Sequence, residues 1–228
     1  PHRPQHAPPP RPPPRDPPSP PVPDTRPPPP PGELSHGLIH LGGGPWGSAG
    51  GRDLPTLQGE IVLAKAMLDQ GKPVLGIGLG AQILSIAAGG SSENAPLCFE
   101  TGYAMRLRDD ALAGFMPERF PNVVYMRDRP MPPADADILA EDEYGRPAVF
   151  QVAPNAVGFT GHPGFKTAMA EDLVMEFEEA PENPAPELQK LQTMVREIED
   201  CLVPLMTGLV KITAWMQKKA RIELELRG

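Results

Sequence analysis

The stretch that decides the fold is residues 71–90, which read GKPVLGIGLGAQILSIAAGG. The apolar run at 74–77 is typical of a parallel strand that is covered on both faces. Residues 81–88 predict a helix with an apolar inner face. A strand that turns sharply into a helix between closely spaced glycines is typical of a nucleophile elbow, whose apex residue is held in a strained conformation at the mouth of a site. The apex here is Gly78.

Residues 76–82, GIGLGAQ, resemble the elbow of the class I glutamine amidotransferases, which reads G-I-C-L-G-x-Q. Every motif position matches except the catalytic cysteine, where this chain has Gly78. Glycine tolerates the positive φ of an elbow, but it has no side chain that could attack an amide. The resemblance implies an α/β fold, with a flavodoxin-like, doubly wound and mostly parallel sheet, and a catalytic site without its nucleophile.

Two further motifs follow the order of that family. The turn GGGP at 42–45 comes after a predicted strand at 35–41 and resembles the family's G-G-P, whose backbone N–H groups form an oxyanion hole. Residues 161–164, GHPG, resemble the family's H-P-E. His162 matches the general base, but Gly164 replaces the glutamate that orients it. Losses at two triad positions argue against a single engineered substitution. For His162, a structural role in the turn and residual ligand binding both stay open.

The resemblance also implies a relic pocket made of residues from three motifs. Gly43 and Gly44 match the oxyanion-hole glycines, and Leu79 and Gln82 follow the apex of the elbow. Glu100 lies in the segment FETGY, which resembles the family's E-x-G before a strand beside the glutamine pocket.

Two features close to these motifs in sequence, Cys98 and the charged run at 127–129, could be either functional or structural. Cys98 could be a displaced nucleophile, but no base is adjacent in sequence, and lone cysteines are mostly small apolar core residues. Many relatives carry a histidine near the position of Met126-Arg127. This chain instead has the charged run Arg127-Asp128-Arg129, which we interpret as a solvated loop.

Length and composition set limits on the class of protein. The 228 residues leave room for one α/β domain with extensions. The net charge of −8 makes nucleic acid an unexpected partner. We expect no secretory signal, and because the chain has no run of about 20 uncharged apolar residues, we expect no membrane span and a cytoplasmic protein for which membrane binding is unlikely. The two cysteines lie far apart and predict no disulfide framework, and no metal site or cofactor is expected.

Three regions are predicted. Residues 1–34 form a proline-rich extended arm, either a flexible tail or a docking arm for an aromatic-lined groove. Residues 35–180 form the amidotransferase-like domain. The resemblance spans roughly 35–173 and lacks the family's opening strand and helix. One sheet edge is therefore expected to be open to a partner.

Residues 181–228 predict a linker and a long amphipathic helix that begins at Glu187 and is interrupted and kinked at Pro204 and Gly208. Its apolar residues recur every three or four positions, which leaves a seam that needs cover. The seam could pack on its own domain, pair with another subunit, or lie on a membrane surface. We expect pairing, through Leu188, Leu191, Val195, Ile198, Leu202, Leu205, Leu209, Ile212, Trp215 and Met216.

These observations favour a non-catalytic amidotransferase-like subunit that acts as a scaffold or assembly component of a larger protein complex. The helix and the proline-rich arm would bind other protein subunits in a homo- or hetero-oligomer. Two alternatives from other classes stay open. The chain could be a glutaminase or glutamine amidotransferase with an altered nucleophile, or a sensor that binds a small amide in the relic pocket.

Overall fold

The computed structural model describes residues 36–216. The predicted arm, residues 1–34, lies outside them. Nine strands are defined: β1 Leu38–Gly42, β2 Val74–Gly78, β3 Ser91–Glu93, β4 Cys98–Arg106, β5 Arg119–Met126, β6 Arg129–Met131, β7 Asp137–Asp142, β8 Pro147–Ala153 and β9 Ala156–Phe159. Five helices accompany them: α1 Leu57–Asp69, α2 Leu79–Ala87, α3 Ala111–Gly114, α4 Thr167–Glu176 and α5 Ala185–Thr213.

The main sheet has seven strands in the order β1-β2-β9-β8-β7-β4-β5. Strands β1, β2 and β9 are parallel, and antiparallel pairing adds β8, β7, β4 and β5 beyond them. Strands β3 and β6 form a separate antiparallel pair. The predicted α/β class is confirmed, with the elbow strand β2 at the centre of the parallel part. The last two strands, β8 and β9, form an antiparallel hairpin.

Strand β2 is covered on both faces, as its apolar run predicts. Val74 packs with Met67 of α1 and Leu84 of α2 on one face. Leu75 and Ile77 point to the other face, where they pack in the same core cluster as Leu205 and Leu209 of α5. Helices therefore lie on both sides of the parallel strands and fix the position of the elbow between them.

Helix α5 is continuous from Ala185 to Thr213, so the predicted interruption at Pro204 and Gly208 is wrong. Gly208 has a packing role instead. A Cβ atom at Gly208 would lie 2.6 Å from the Cβ atom of Leu112 in α3. The missing side chain thus lets α5 and α3 approach closely.

The apolar seam of α5 is covered by its own domain, so the expectation of an uncovered seam is wrong. Leu191 and Ile198 are buried in a cluster with residues of β4 and β5, and Leu205 and Leu209 are buried against the parallel strands. At the margins, Val195 is 38% exposed, and Met216, which lies beyond the end of the helix at Thr213 rather than in it as predicted, is 77% exposed. The antiparallel strands enlarge the sheet face, and a long helix is needed to cover it. Pairing of α5 with another subunit stays a prediction.

The seam's remaining members lie between these extremes. Leu188 and Ile212 are half-buried against the two core clusters. Trp215 is also packed against the core, and its indole Nε1 donates a hydrogen bond to the His36 carbonyl at 3.2 Å. In the part of the chain that the structure describes, no helix is both long and apolar enough to cross a membrane.

Candidate functional site

The elbow has the strained backbone that its glycines predict. Gly78 ends β2 with φ 61° and ψ −119°, in a region that disfavours side chains. A Cβ atom at Gly76 would lie 2.9 Å from the backbone nitrogen of Ala81. The strand and the first turn of α2 therefore touch backbone to backbone, and the apex at Gly78 is held between them.

His162 reaches the apex from the turn after β9. Its backbone N–H donates to the Val123 carbonyl at 2.9 Å, which fixes the turn to β5. A Cβ atom at position 78 would lie 2.6 Å from His162 Nε2, so the imidazole occupies the space beside Gly78 that a nucleophilic side chain would enter. Burial lowers the pKa of His162, although a hydrogen bond to the Gly42 carbonyl partly opposes this. The ring is therefore neutral at neutral pH.

The position of the orienting acid is apolar. Gly164 has φ +73°, and a Cβ atom there would lie 3.2 Å from Leu202 Cδ2 of α5. The Phe165 ring meets the His162 ring edge-on, with centroids 5.7 Å apart. An aliphatic side chain thus lies where the side chain of an orienting glutamate would begin.

Gln82 is fully buried, and both ends of its amide are bonded within the chain. Its Oε1 accepts a hydrogen bond from Ser48 Oγ at 2.5 Å, and its Nε2 donates to the Arg127 carbonyl at 2.6 Å. The side chain of Leu79 points away into the core between α1 and α2, where it packs with Leu57.

Asp128 holds the same region together, although its charged neighbours in sequence predicted a solvated loop. It is 1% exposed, and its carboxylate accepts hydrogen bonds from the backbone N–H groups of Ser48, Ala49 and Ala95 at 2.8, 2.9 and 3.0 Å. The interpretation of residues 127–129 as a solvated loop is therefore wrong. We call Ser48, Gln82, Arg127 and Asp128 the polar cluster.

The segment that follows α4, residues 177–179, lies across this region. Glu179 pairs with both Arg127 and Arg52, and Arg127 Nε also donates to the Pro45 carbonyl at 2.9 Å. Phe177 lies over the glycine turn, because its Cε2 would be 3.1 Å from a Cβ atom at Gly44. The ion pair of Glu179 with Arg127 thus holds the polar cluster, and Phe177 covers the neighbouring glycine turn.

Residues 34–176 match the protein family described as glutamine amidotransferase class-I. The chain belongs to this family. Its fold is similar to the solved glutamine amidotransferase of Thermotoga maritima, with 24% identity, a TM-score of 0.60 and 77% of each chain covered. It is also similar to the glutamine amidotransferase of Methylobacillus flagellatus, with 20% identity, a TM-score of 0.63, and 82% of this chain and 79% of that chain covered. At these identities the likeness shows the fold alone. No curated protein sequence matches the chain.

Glu100 of this class I glutamine amidotransferase domain lies apart from His162. Its carboxylate accepts hydrogen bonds from Arg146 Nη2 at 2.5 Å and Arg129 Nη2 at 3.1 Å. Burial would raise the pKa of Glu100, but the hydrogen bonds and charges of Arg146 and Arg129 outweigh it, and the pKa lies below its usual range. Glu100 lines a small cavity of about 90 Å³ with Tyr103 and Arg146, whereas His162 lines another.

Cys98 has the environment of an unreactive thiol. Burial, with a smaller contribution from the charge of Glu100, raises its pKa to about 11. Its Sγ donates to the Met126 carbonyl at 3.4 Å. Since the thiolate is the nucleophilic form, the geometry disfavours a displaced nucleophile at this position.

Gly43 and Gly44 border a cavity of about 340 Å³ together with His162. Phe165, Phe177 and Leu173 of α4 also line it. We call this space the aromatic cavity. The site thus brings Gly43, Gly44, Gly78 and His162 together, as the family order predicts. Gln82 does not line the cavity, since its side chain is bonded within the polar cluster.

Proposed function

We propose that this domain is non-catalytic and serves as a scaffold or assembly component of a larger protein complex. The observation that carries the first half is Gly78, which stands at the elbow apex without any side chain. Covalent acyl transfer needs a nucleophile that is activated by a base and an orienting acid. The His162 imidazole instead lies beside an apex that has no side chain, and Gly164 faces Leu202.

The two alternatives have less support. An enzyme with a displaced nucleophile would need a reactive thiol, and the raised pKa of Cys98 opposes that role. A sensor for a small amide would need polar groups that can bind the amide. Gln82, the relic residue suited to this task, has both ends of its side chain engaged by Ser48 and Arg127.

The test is ammonia release from glutamine by the full chain. We expect no release above the buffer rate, whereas turnover near ~1 s⁻¹, ordinary for an enzyme, would contradict the proposal. Gly78→Cys alone is expected to stay far below this rate, because His162 lacks an orienting acid. Gly78→Cys with Gly164→Glu is expected to stay low as well, because a side chain at Gly164 meets Leu202. Adding Leu202→Ala would provide room for that glutamate, and thermal unfolding would show that each variant is folded.

The open edge of the sheet supports the assembly half of the proposal. Within residues 36–216, β2 is the only strand that pairs with β1. The edge carries two apolar side chains, Ile39 at 54% exposure and Leu41 at 65%. An edge strand presents unpaired N–H and C=O groups that a partner strand can bind. This surface supports partner binding better than α5, whose seam is already covered.

The mass of the isolated full chain in solution, measured by light scattering, tests this half. We expect a mass above that of one chain, and Leu41→Lys should lower it because a charge would enter the contact. Val62→Lys is the matched control, since Val62 is 65% exposed on α1 and lies outside the edge strand. A wild-type chain that stays monomeric at high concentration would contradict self-assembly through β1.

A further inference from the structure

The aromatic cavity has the size and walls of a ligand site. Its volume of about 340 Å³ falls in the range of about 300–1,000 Å³ that proteins use for small molecules. Phe165, Leu173 and Phe177 supply apolar walls. Gly44 has φ +70°, and because it lacks a side chain its backbone forms part of the surface beside the Phe177 ring.

Tyr125, which is among the lining residues of this cavity, carries an unsatisfied donor. Tyr125 is 1% exposed, and its hydroxyl is buried without a hydrogen-bond partner in the described structure. Most buried polar side-chain atoms have a partner, so such a group calls for an explanation. Burial raises the pKa of Tyr125, so the group is an O–H donor at neutral pH. The hydroxyl is closed off from solvent in the free chain, so the acceptor atom of a ligand in the cavity would satisfy it once the side chains around the hydroxyl shift.

The charges around the cavity select against anions. None of the lining residues, all of which lie within 36–216, is a lysine or an arginine. Asp172 is the acidic residue at the cavity, and His162 is neutral there. A bound carboxylate would be desolvated without a cation to pair with, which is costly.

We propose that the aromatic cavity binds a small neutral aromatic molecule whose carbonyl-type oxygen accepts the hydrogen bond of Tyr125. Glutamine is a poor fit, since its carboxylate would have no cation in the cavity and Gln82 and Glu100 lie outside it. This inference goes beyond the proposed function and does not depend on it. The ammonia assay measures catalytic activity, whereas the binding experiment measures occupancy of the cavity, so the two proposals can fail separately.

Fluorine NMR on the full chain tests the chemistry of the ligand with three probes of matched shape. We expect 4-fluoroacetophenone, a neutral ring with a carbonyl acceptor, to bind. We expect 1-ethyl-4-fluorobenzene, which lacks the acceptor, to bind about 3- to 10-fold more weakly, as the loss of one hydrogen bond predicts. We expect 4-fluorobenzoate to bind at least about 10-fold more weakly because of its charge. Absence of acetophenone binding, or equal binding of the benzoate, would overturn the proposal.

Substitutions locate the binding. Leu173→Trp should fill the cavity and abolish the fluorine signal change, while Met175→Trp should leave it intact, because Met175 is on the same helix but 76% exposed and outside the cavity. Tyr125→Phe should weaken acetophenone about 3- to 10-fold and leave the ethyl probe unchanged. If Leu173→Trp does not fold, amide shifts in the wild type decide, with Gly44 and Leu173 expected to move and Met175 not. Undiminished binding to folded Leu173→Trp, or unmoved Gly44 and Leu173, would refute the site.

Discussion

The polar cluster and the aromatic cavity both border the elbow, yet they differ in how their polar groups are satisfied. In the polar cluster, Gln82 and Asp128 are bonded to other parts of the chain. At the aromatic cavity, the lining residue Tyr125 has a buried hydroxyl without a hydrogen-bond partner among residues 36–216. The same elbow backbone therefore borders two kinds of region: one whose polar groups are bonded within the chain, and one that is an apolar cavity. Ligand binding is expected where hydrogen-bonding capacity is left unused.

Removing Asp128 should have the largest effect, because it breaks the closed region. Asp128→Ala leaves three backbone N–H groups buried without their acceptor, so the free energy of unfolding should fall by about 3–4 kcal/mol. Urea unfolding measures it. Asp128→Asn keeps one acceptor oxygen and tolerates the φ of 60°, so it should lose less. Asp135→Ala, at an exposed position, should change little. A loss below about 1 kcal/mol for Asp128→Ala would show that the cluster is not closed by this carboxylate.

Gly78→Cys should have the second largest effect, about 2 kcal/mol of destabilisation. The new side chain is strained at φ 61°, and its Cβ atom would clash with the Gly42 carbonyl oxygen and lie 2.6 Å from His162 Nε2. Gly89→Cys is the matched control, because Gly89 has φ +93° with nothing within 4 Å of a Cβ atom, and it reports backbone strain alone. Urea unfolding of both variants separates the cost of backbone strain from the cost of the contacts with Gly42 and His162.

A double-mutant cycle sharpens that result. In a His162→Gly background, Gly78→Cys should cost less, because the imidazole no longer occupies the space. Equal costs in the two backgrounds would mean that His162 does not fill the place of the nucleophile.

Tyr125→Phe should have a smaller effect of opposite sign. Removing a buried hydroxyl that has no partner removes its desolvation penalty, so the free energy of unfolding should rise by about 1 kcal/mol. Thermal and urea unfolding of the chain without added ligand measure it. A loss of stability instead would show that the hydroxyl is hydrogen-bonded in solution, which would weaken the contrast with the polar cluster.

The sequence predicted the elbow because its geometry is local. Glycines recur at 76, 78 and 80, and Gly76 sets the contact between strand and helix through Gly80 and Ala81 of the same segment. The family order of the motifs then predicted that Gly43 and His162 would meet near Gly78. These predictions needed no knowledge of distant packing.

The polar cluster and the cover of α5 could not be predicted in this way. Asp128 looked like part of a charged surface run, because its donors at Ser48 and Ala49 are about 80 residues away in sequence. The seam of α5 showed that the helix must be covered, but an amphipathic pattern does not identify the covering surface. Leu202 beside Gly164 is a case in point, since neither residue suggests the other.

The smallest expected effect is a change in the free energy of unfolding with pH. It tests His162, which lies between the polar cluster and the aromatic cavity. His162 has a folded-state pKa below the reference value of 6.5, chiefly because it is buried. As the pH falls below about 6.5, the unfolded chain takes up a proton at this residue while the folded chain resists it, so folding loses stability. The stability of the wild type relative to His162→Gln should therefore be full at about pH 7.5 and decline toward about pH 5.5. Urea unfolding across this range measures the difference, in which other titrating groups cancel. A difference that stays constant with pH would mean that the imidazole titrates alike in both states, and a difference that grows at low pH would mean that His162 is protonated and paired in the folded chain.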